Sequence, residues 1–186
     1  MTYRWILPMA LLLCVSTTAI SVNYDLLRSQ LRSSNSACLM LLRQLNGAPQ
    51  RCPEDTMNFQ VPEEIEQAQQ FQKEDAALVI YEMLQHTLRI FRRNFASTGW
   101  NETIVENLLV KVHLQMDRLE TNLEEIMEEE SSTWGNTTIL RLKKYYRRIS
   151  QYLKAKKYSH CAWTVVQAEM LRNLAFLNAL TDYLQN

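Results

Sequence analysis

The chain has 186 residues, with 20 basic and 20 acidic side chains and a formal net charge of zero. This length suits one domain with one core, and a neutral chain has no global attraction to nucleic acid or to a membrane. Three isolated glycines exclude a glycine-rich phosphate loop, and three histidines leave few ligands for a metal. These counts argue against most classes of enzyme.

The N-terminal segment "MTYRWILPMALLLCVSTTAIS" has the pattern of a secretory signal peptide. Arg4 supplies the positive start, an apolar run extends through Val15, and small residues follow to Ser21. The run is too short to span a bilayer, and Pro8 interrupts it. We therefore expect residues 1–21 to be removed and residues 22–186 to be secreted, without membrane insertion. A buried N-terminal helix is the weaker alternative.

Three cysteines remain after Cys14 leaves with the signal peptide: Cys38, Cys52 and Cys161. In an oxidising compartment they suggest one disulfide and one free thiol, and the sequence alone allows three pairings. Cys38 lies on an apolar helical stripe, where it can stay buried, so the pairing Cys52–Cys161 is favoured. Closing a loop of about 110 residues would stabilise the fold by about 4–5 kcal/mol in the chain-entropy model.

The remaining chain predicts an all-α fold. Apolar residues recur at steps of three and four over residues 24–45, 76–90, 104–126, 142–152 and 163–184, which predicts five helices. Breaks are expected at Gly47, at Gly99 and at Gly135, and Ser159 is a plausible N-cap for the last helix. Residues 46–70 carry no stripe and hold the three later prolines, which predicts a long overhand crossover between parallel helices.

The adjacent His160 and Cys161 are the most suggestive pair for chemistry, as a nucleophile, a metal site or half of a disulfide. The only other histidines are His86 and His113, and the chain has no H-E-x-x-H or C-x-x-C motif. A disulfide cysteine beside a surface histidine is the favoured interpretation. The acidic run 124–130 is interpreted as a solvated helix end, and no metal or cofactor is predicted.

A basic stretch without any acidic residue runs from residue 141 to residue 157. It is consistent with binding of a receptor, a sulfated glycan or nucleic acid, or with a solvated helix face, and nucleic acid is the weakest of these for a neutral secreted chain. Two N-x-[ST] sequons, at Asn101 and Asn136, are predicted to be glycosylated.

Several stretches resemble type I interferons, among them "FQKEDAALVIYEMLQ", "STGWNETIVENLL", "LKKYYRRI" and "YLKAKKYSHCAWTVVQAEMLRN". The resemblance covers nearly the whole secreted chain. It implies a five-helix up-up-down-down cytokine bundle with a long overhand loop after the first helix, and it implies the Cys52–Cys161 disulfide. It also implies a mostly monomeric antiviral and innate immune cytokine that brings together two receptor chains and activates JAK-STAT signalling, not an enzyme.

The resemblance also implies two receptor-binding surfaces. This sequence departs from the family pattern at three positions of the tighter surface. Pro53 stands in place of a leucine, and Thr56 and Gln167 each stand in place of an arginine. The tighter receptor chain would contact Asp55, Phe59, Ala168, Leu171 and Arg172. The weaker chain would contact Tyr81, Glu82, Gln85, Leu88, Arg89, Ile104, Leu109 and Lys143.

Two other classes of function are less consistent with the sequence. A secreted carrier of apolar ligands would need a cavity, whereas the narrow stripes of Leu, Ile and Met favour a packed core. An enzyme is the weakest reading, because the chain is poor in histidine and glycine.

Overall fold

The computed structural model of the chain describes residues 23–45, 52, 57–67, 71–129 and 133–184. These residues form six α-helices and one 3₁₀ turn, Ala96–Thr98, and they contain no strand. The predicted all-α class is confirmed. The expected signal peptide lies outside the described residues. The helices are α1 Tyr24–Gln44, α2 Glu63–Glu66, α3 Lys73–Phe91, α4 Glu102–Glu129, α5 Thr133–Ala155 and α6 His160–Thr181.

Local side-chain contacts explain where three of the long helices begin. The side-chain oxygens of Asn23 and Ser159 accept hydrogen bonds from backbone amides in the first turns of α1 and α6. Asn101 does the same for α4, because its Oδ1 accepts from the Thr103 amide at 2.9 Å. Gly99, at φ +70°, provides the left-handed conformation that ends the 3₁₀ turn before α4.

Contacts between helices establish their directions. The pairs Ser34–Arg118 and Cys38–Gln115 make α1 antiparallel to α4, since one number rises as the other falls. Asn35 contacts the carbonyl of Leu174 and Gln167 contacts that of Leu42, so α1 is also antiparallel to α6. The short link between α3 and α4 makes those two antiparallel. Helices α1 and α3 therefore run in one direction, and α4 and α6 run in the opposite direction. Helix α5 is the remaining long helix beside these four.

The core fills the space between these helices with large apolar side chains. Trp163 is fully buried and packs against Trp100 and Phe91, with ring centroids 5.4 Å and 6.0 Å away. Its indole N–H donates to the Asn94 carbonyl at 2.9 Å, which satisfies the only polar atom of the side chain. This cluster ties the start of α6 to the end of α3 and the start of α4.

A buried polar network also joins α5 to α6. The Tyr145 hydroxyl donates to the Glu169 carboxylate, and the Tyr146 hydroxyl donates to Asn173 Oδ1 at 2.6 Å. Asn173 Nδ2 in turn donates to the Tyr145 oxygen. Burial raises the pKa of both tyrosines, so both hydroxyls remain protonated donors. The apolar stripes did not predict this network.

Two local predictions were wrong. Gly135, expected in a break, lies inside α5, which begins two residues earlier. The cost of a helical glycine, about 1 kcal/mol relative to alanine, is small beside the packing of a helix that long. The crossover, expected to be irregular, contains the short helix α2; Pro62 precedes it and the buried Ile65 holds it on the core.

The crossover is attached to the bundle at separate points. The structure contains the disulfide between Cys52 and Cys161, with Cα atoms 5.5 Å apart and a sequence separation of 109. Phe59 is buried, and its ring meets that of Tyr152 edge-on at 5.3 Å. Arg148 of α5 donates to the carbonyls of Phe59 and Gln60, at 3.0 Å and 2.8 Å. These contacts hold the loop against α5 and α6.

Gln167 completes the end of α1. Its side chain is only 5% exposed, and its amide nitrogen donates to the carbonyls of Leu42 and Leu45 at 2.8 Å and 2.6 Å. Carbonyls in the last turn of a helix have no partner within the helix, so a side chain from α6 replaces the missing donors. The family resemblance associates this position with the tight receptor surface, whereas the side chain here points into the bundle.

We predict that Gln167→Met lowers the free energy of unfolding by about 2 kcal/mol, because two buried carbonyls lose their donor while the volume is nearly kept. Guanidinium unfolding followed by circular dichroism measures this. The matched control is Gln44→Met, at an exposed position at the end of α1, with an expected change within about 0.5 kcal/mol. Equal unfolding free energies for the two variants would contradict the capping role.

Candidate functional site

The His160–Cys161 pair does not form a chemical site. Cys161 is bonded to Cys52, and His160 Nδ1 lies 3.2 Å from the Thr98 carbonyl oxygen, at the turn before α4. Within the described residues, no group of three or more His, Cys, Asp or Glu side chains could hold a metal ion. No helix in this part of the chain is both long and apolar enough to cross a membrane.

The first candidate surface, here named the crossover face, consists of residues 57–67 and the outward side of α6. Ala168 and Arg172 are exposed there and Leu171 is half-buried. Arg172 Nη2 lies 3.1 Å from the Glu66 carboxylate, and its guanidinium is 5.6 Å from the centre of the Phe176 ring. The ion pair joins α6 to α2, so the predicted α6 residues adjoin the crossover. Asp55, Pro53 and Thr56 lie outside the described residues.

Phe59 differs from the other residues predicted for this face. Its side chain is 1% exposed, so it offers almost no surface to another protein in this conformation. It fixes the crossover on α5 and thereby positions the neighbouring residues. Among the described residues of the loop, Met57 presents a large apolar side chain to solvent and is 45% exposed. Sequence reasoning missed Met57 because nothing in the pattern distinguishes a buried from an exposed apolar residue in an irregular loop.

The second candidate surface, here named the three-helix face, contains the residues predicted on α3, α4 and α5. Arg89 and Lys143 are exposed, whereas Leu88 and Glu82 are buried. Arg89 donates to Gln85 at 2.7 Å, one turn earlier on α3. The half-buried members are Tyr81, Gln85, Ile104 and Leu109.

The members of the three-helix face divide between two seams. Glu82 faces α5, where its carboxylate lies 3.5 Å from Lys143 Nζ. Tyr81 faces α4, and burial together with the nearby Glu120 carboxylate raises its pKa. Tyr81 therefore stays a neutral hydroxyl, available as a hydrogen-bond donor.

Glu82 is the electrostatic centre of the seam between α3 and α5. Its carboxylate lies 3.3 Å from His86 Nε2 as well as 3.5 Å from Lys143 Nζ. The hydrogen bond with His86 lowers the pKa of Glu82, with Lys143 contributing further, against the opposing effect of burial. The ring of His86 is stacked on that of Tyr146 at 4.6 Å. Glu82 therefore holds the side chains of His86 and Lys143 in place more than it offers itself to a partner.

The two sequons lie at different kinds of position. Asn101 is exposed between the 3₁₀ turn and α4. Its Oδ1 accepts the capping hydrogen bond from the Thr103 amide, whereas Nδ2, the atom to which an N-linked sugar is attached, takes no part in the cap. Asn136 lies in the first turns of α5, and its side chain is outside the described part of the structure. Glycosylation of both remains a prediction.

Cys38 is a free thiol that the fold conceals. It is 0% exposed between α1 and α4, and Gln115 Nε2 donates to its sulfur at 3.5 Å. Burial raises the pKa of the thiol from 9.0 to about 11, which suppresses the reactive thiolate. In this structure Cys38 is therefore not available to link two molecules.

The comparisons with known proteins agree on one family. A family model described as the interferon alpha/beta domain matches residues 27–184. Full-length relatives named interferon beta are 96% identical in Equus caballus, 63% in Felis catus and 59% in Homo sapiens, each covering 100% of both chains. These relatives confirm the resemblance to type I interferons, and to interferon beta in particular, that the sequence indicated.

Solved structures support the fold independently. Zebrafish interferon 1 aligns with a TM-score of 0.70 at 18% identity, covering 84% of this chain and 99% of that one. Zebrafish interferon 2 aligns with a TM-score of 0.67 at 21% identity, covering 79% and 96%. At such identities the likeness concerns the fold alone, and it confirms the helical cytokine architecture.

We predict that Cys38 reacts with a maleimide at pH 8 at least about 100-fold more slowly in the native protein than a model thiol, since a rise in pKa from 9.0 to about 11 removes that share of thiolate. Labelling followed by mass spectrometry without reductant measures it, with one label per chain after unfolding in guanidinium. Rapid labelling of the native protein would contradict the burial of Cys38.

Proposed function

The chain belongs to the interferon alpha/beta family, and from that premise we propose that it is a secreted interferon that joins the two chains of the type I interferon receptor. Receptor assembly would activate JAK-STAT signalling and so antiviral, antiproliferative and innate immune responses. The observation that carries the proposal is the match to this family over residues 27–184. The family consists of cytokines, not enzymes, so the function is one of binding.

The arrangement of the helices supports simultaneous binding of two receptor chains. Helices α4 and α6 each pack on both α1 and α3, which separates α4 from α6 across the bundle. The crossover face, on α6, and the three-helix face, which includes α4, are therefore on different sides. Two membrane proteins can contact the same molecule without competing for surface.

We assign the tighter receptor chain to the crossover face. Arg172 would supply a cationic contact of the kind that often dominates the binding energy of an interface, and Leu171 would add an apolar contact beside it. Arg172 is already held by Glu66 and by the Phe176 ring, which reduces the entropy lost on binding. Ala168 would allow close approach, Asp55 would contribute a carboxylate, and Phe59 would act by positioning the loop.

We assign the weaker receptor chain to the three-helix face. Tyr81, Gln85 and Arg89 project from successive turns of α3, and Lys143 lies across the seam on α5. Ile104 and Leu109 would add apolar contact from α4. Glu82 and Leu88, both buried, would support these side chains from beneath.

Secretion follows from the expected signal peptide at residues 1–21, with residues 22–186 as the mature, mostly monomeric cytokine. The burial of Cys38 supports a monomer, because it removes the one free thiol that could link two chains. Sugars at Asn101 and Asn136 are part of the proposal.

We predict that glycosidase treatment of the protein secreted by mammalian cells lowers its mass in two steps, one for each sequon. Asn101→Gln and Asn136→Gln should each abolish one step, which mass spectrometry resolves. An Asn101→Gln variant that retains both steps would exclude that site.

The proposed function is tested with purified protein on cells that carry both receptor chains, with STAT phosphorylation as the readout. We expect a response at nanomolar concentration. Arg172→Ala should weaken binding to the isolated tight chain by about tenfold or more, since a truncated arginine at the centre of an interface typically costs over 1 kcal/mol.

The matched control is Arg32→Ala. Arg32 is also an exposed arginine with a carboxylate partner, Asp182, but it lies on α1 away from the predicted contacts. Its affinity for the tight chain should stay within about twofold of the unaltered protein. No STAT phosphorylation by the unaltered protein would reject the proposed function, and equal losses in the two variants would remove Arg172 from the binding site.

A further inference from the structure

A small pocket opens at the turn between α3 and α4. Its volume is about 340 Å³. This is at the lower end of the range for small-molecule sites, about 300–1,000 Å³, which suits a single ring-sized group. No residue of the pocket belongs to the predicted receptor contacts. We name it the turn pocket by its lining residues: Arg93, Asn94, Phe95, Ala96, Trp100 and Glu102.

Two nitrogen donors at the turn pocket have no hydrogen-bond partner among the residues that the structure describes. They are Nε1 of Trp100 and Nε of Arg93, and both atoms are buried. The Trp100 side chain belongs to a residue that is only 8% exposed. The neighbouring Trp163 differs, because its indole N–H donates to the Asn94 carbonyl at 2.9 Å. A buried donor without an acceptor destabilises a fold, so two of them beside one pocket point to a bound group that brings acceptors.

Neighbouring contacts hold the walls of the turn pocket in place. The Arg93 guanidinium is held from α5, because its Nη2 donates to Ser150 Oγ at 3.4 Å. The rings of Phe95 and Trp100 have centroids 6.3 Å apart, with 28° between their planes. The Thr98 hydroxyl oxygen accepts from the Trp100 amide at 3.0 Å and donates to the Phe95 carbonyl at 2.6 Å. A ligand therefore meets a preformed site, which reduces the entropy lost on binding.

The lining of the turn pocket combines the groups that an uncharged sugar requires. The faces of Phe95 and Trp100 carry partial negative charge and can pack against the C–H groups of a sugar ring. The two buried donors can serve acceptor oxygens, and the Glu102 carboxylate can accept from hydroxyl groups. An acetamido group fits this lining well, because its carbonyl oxygen accepts from an N–H while its methyl group packs on an aromatic ring. Arg93 and Glu102 carry opposite charges, so net charge does not select the ligand.

Asn101, the first predicted glycosylation site, adjoins the turn pocket. It stands between Trp100 and Glu102 in the sequence, and both of these residues line the pocket. Its Oδ1 accepts from the Thr103 amide at 2.9 Å, which fixes the direction of Nδ2. A sugar attached to Nδ2 would therefore begin within reach of the pocket.

We propose that the turn pocket binds an N-acetylated sugar residue. Two sources carry this group: the N-acetylglucosamine that begins an N-linked chain on Asn101 of the same molecule, and a glycan of another molecule. Both present the same acetamide, hydroxyl groups and C–H face to the pocket. The first source rests on the proposed glycosylation of Asn101, the second does not, and neither rests on receptor binding.

The test compares the protein secreted by mammalian cells with its Thr103→Ala variant. This variant loses the sequon but keeps Asn101 and the backbone amide that its side chain caps. N-acetylglucosamine is added to each protein, and the Trp100 indole N–H resonance is followed by NMR on isotope-labelled tryptophan, with Trp100→Phe to assign it. We expect a saturable shift in Thr103→Ala, with a Kd in the millimolar range that is typical of one sugar residue on an open site.

The unaltered protein distinguishes the two sources of the sugar. If its own chain on Asn101 fills the turn pocket, added N-acetylglucosamine causes no further shift of the Trp100 resonance. An equal shift in both proteins would instead assign the pocket to a glycan of another molecule.

Arg93→Lys tests the buried donor at constant charge, since lysine keeps the positive charge but has no N–H at the position of Nε. The matched control is Arg92→Lys, at an adjacent exposed position that does not line the turn pocket. Both are made in the Thr103→Ala protein. Arg93→Lys should weaken the affinity for N-acetylglucosamine about fivefold or more, and Arg92→Lys should leave it within about twofold.

Three results would overturn the proposal. The first is the absence of a saturable shift in the Thr103→Ala protein, which is expected where water alone serves the two donors. The second is an equal affinity of Arg93→Lys and Arg92→Lys for N-acetylglucosamine. The third is equally tight binding of glucose, which lacks the acetamide. STAT phosphorylation is a separate measurement, so failure of the sugar site and failure of the proposed function are distinguishable.

Discussion

A connection between two parallel helices must travel back along the length of the bundle, and the organisation of this molecule depends on how that connection is held. In its described part, residues 52, 57–67, 71 and 72, the crossover between α1 and α3 contains only one short helix, and contacts with α5 and α6 hold it in position. The Cys52–Cys161 disulfide, the buried Phe59 and the two carbonyl contacts of Arg148 provide them. Because the crossover forms part of the proposed tight receptor surface, the same contacts that stabilise the fold also shape that surface.

Buried polar contacts determine the register in which the apolar helices pack. Apolar stripes of Leu, Ile and Met can slide past one another at modest cost, whereas a buried hydrogen bond is satisfied in only one alignment. Gln167 aligns α6 with the end of α1, and the Tyr145–Glu169–Asn173 network aligns α5 with α6. The ion pair between Glu82 and the exposed Lys143 adds a contact between α3 and α5. Helices α3, α5 and α6 all carry residues of the proposed receptor surfaces. Each of these helices takes part in at least one of the polar contacts described here.

The sequence predicted the parts of the structure that depend on local pattern. Helical periodicity indicated the five long helices, and Gly99 was correctly read as a break. Gly135 was misread, because packing over a long helix outweighs the weak preference of one glycine. The inward orientation of Gln167 and Phe59 could not be predicted, since it depends on which residues become neighbours across more than 80 positions of sequence. The receptor contacts came from family resemblance, and no pattern in the chain indicates them.

The cap of α4 has a consequence for enzymatic removal of sugar. If Asn101 carries the proposed sugar, amidase-type deglycosylation would leave an aspartate at position 101, and a carboxylate there can still accept the hydrogen bond from the Thr103 amide. Its negative charge also suits the positive end of the helix dipole. The start of α4 would thus be preserved after such treatment. A difference in melting temperature between treated and untreated protein would then report on the carbohydrate itself rather than on a frayed helix.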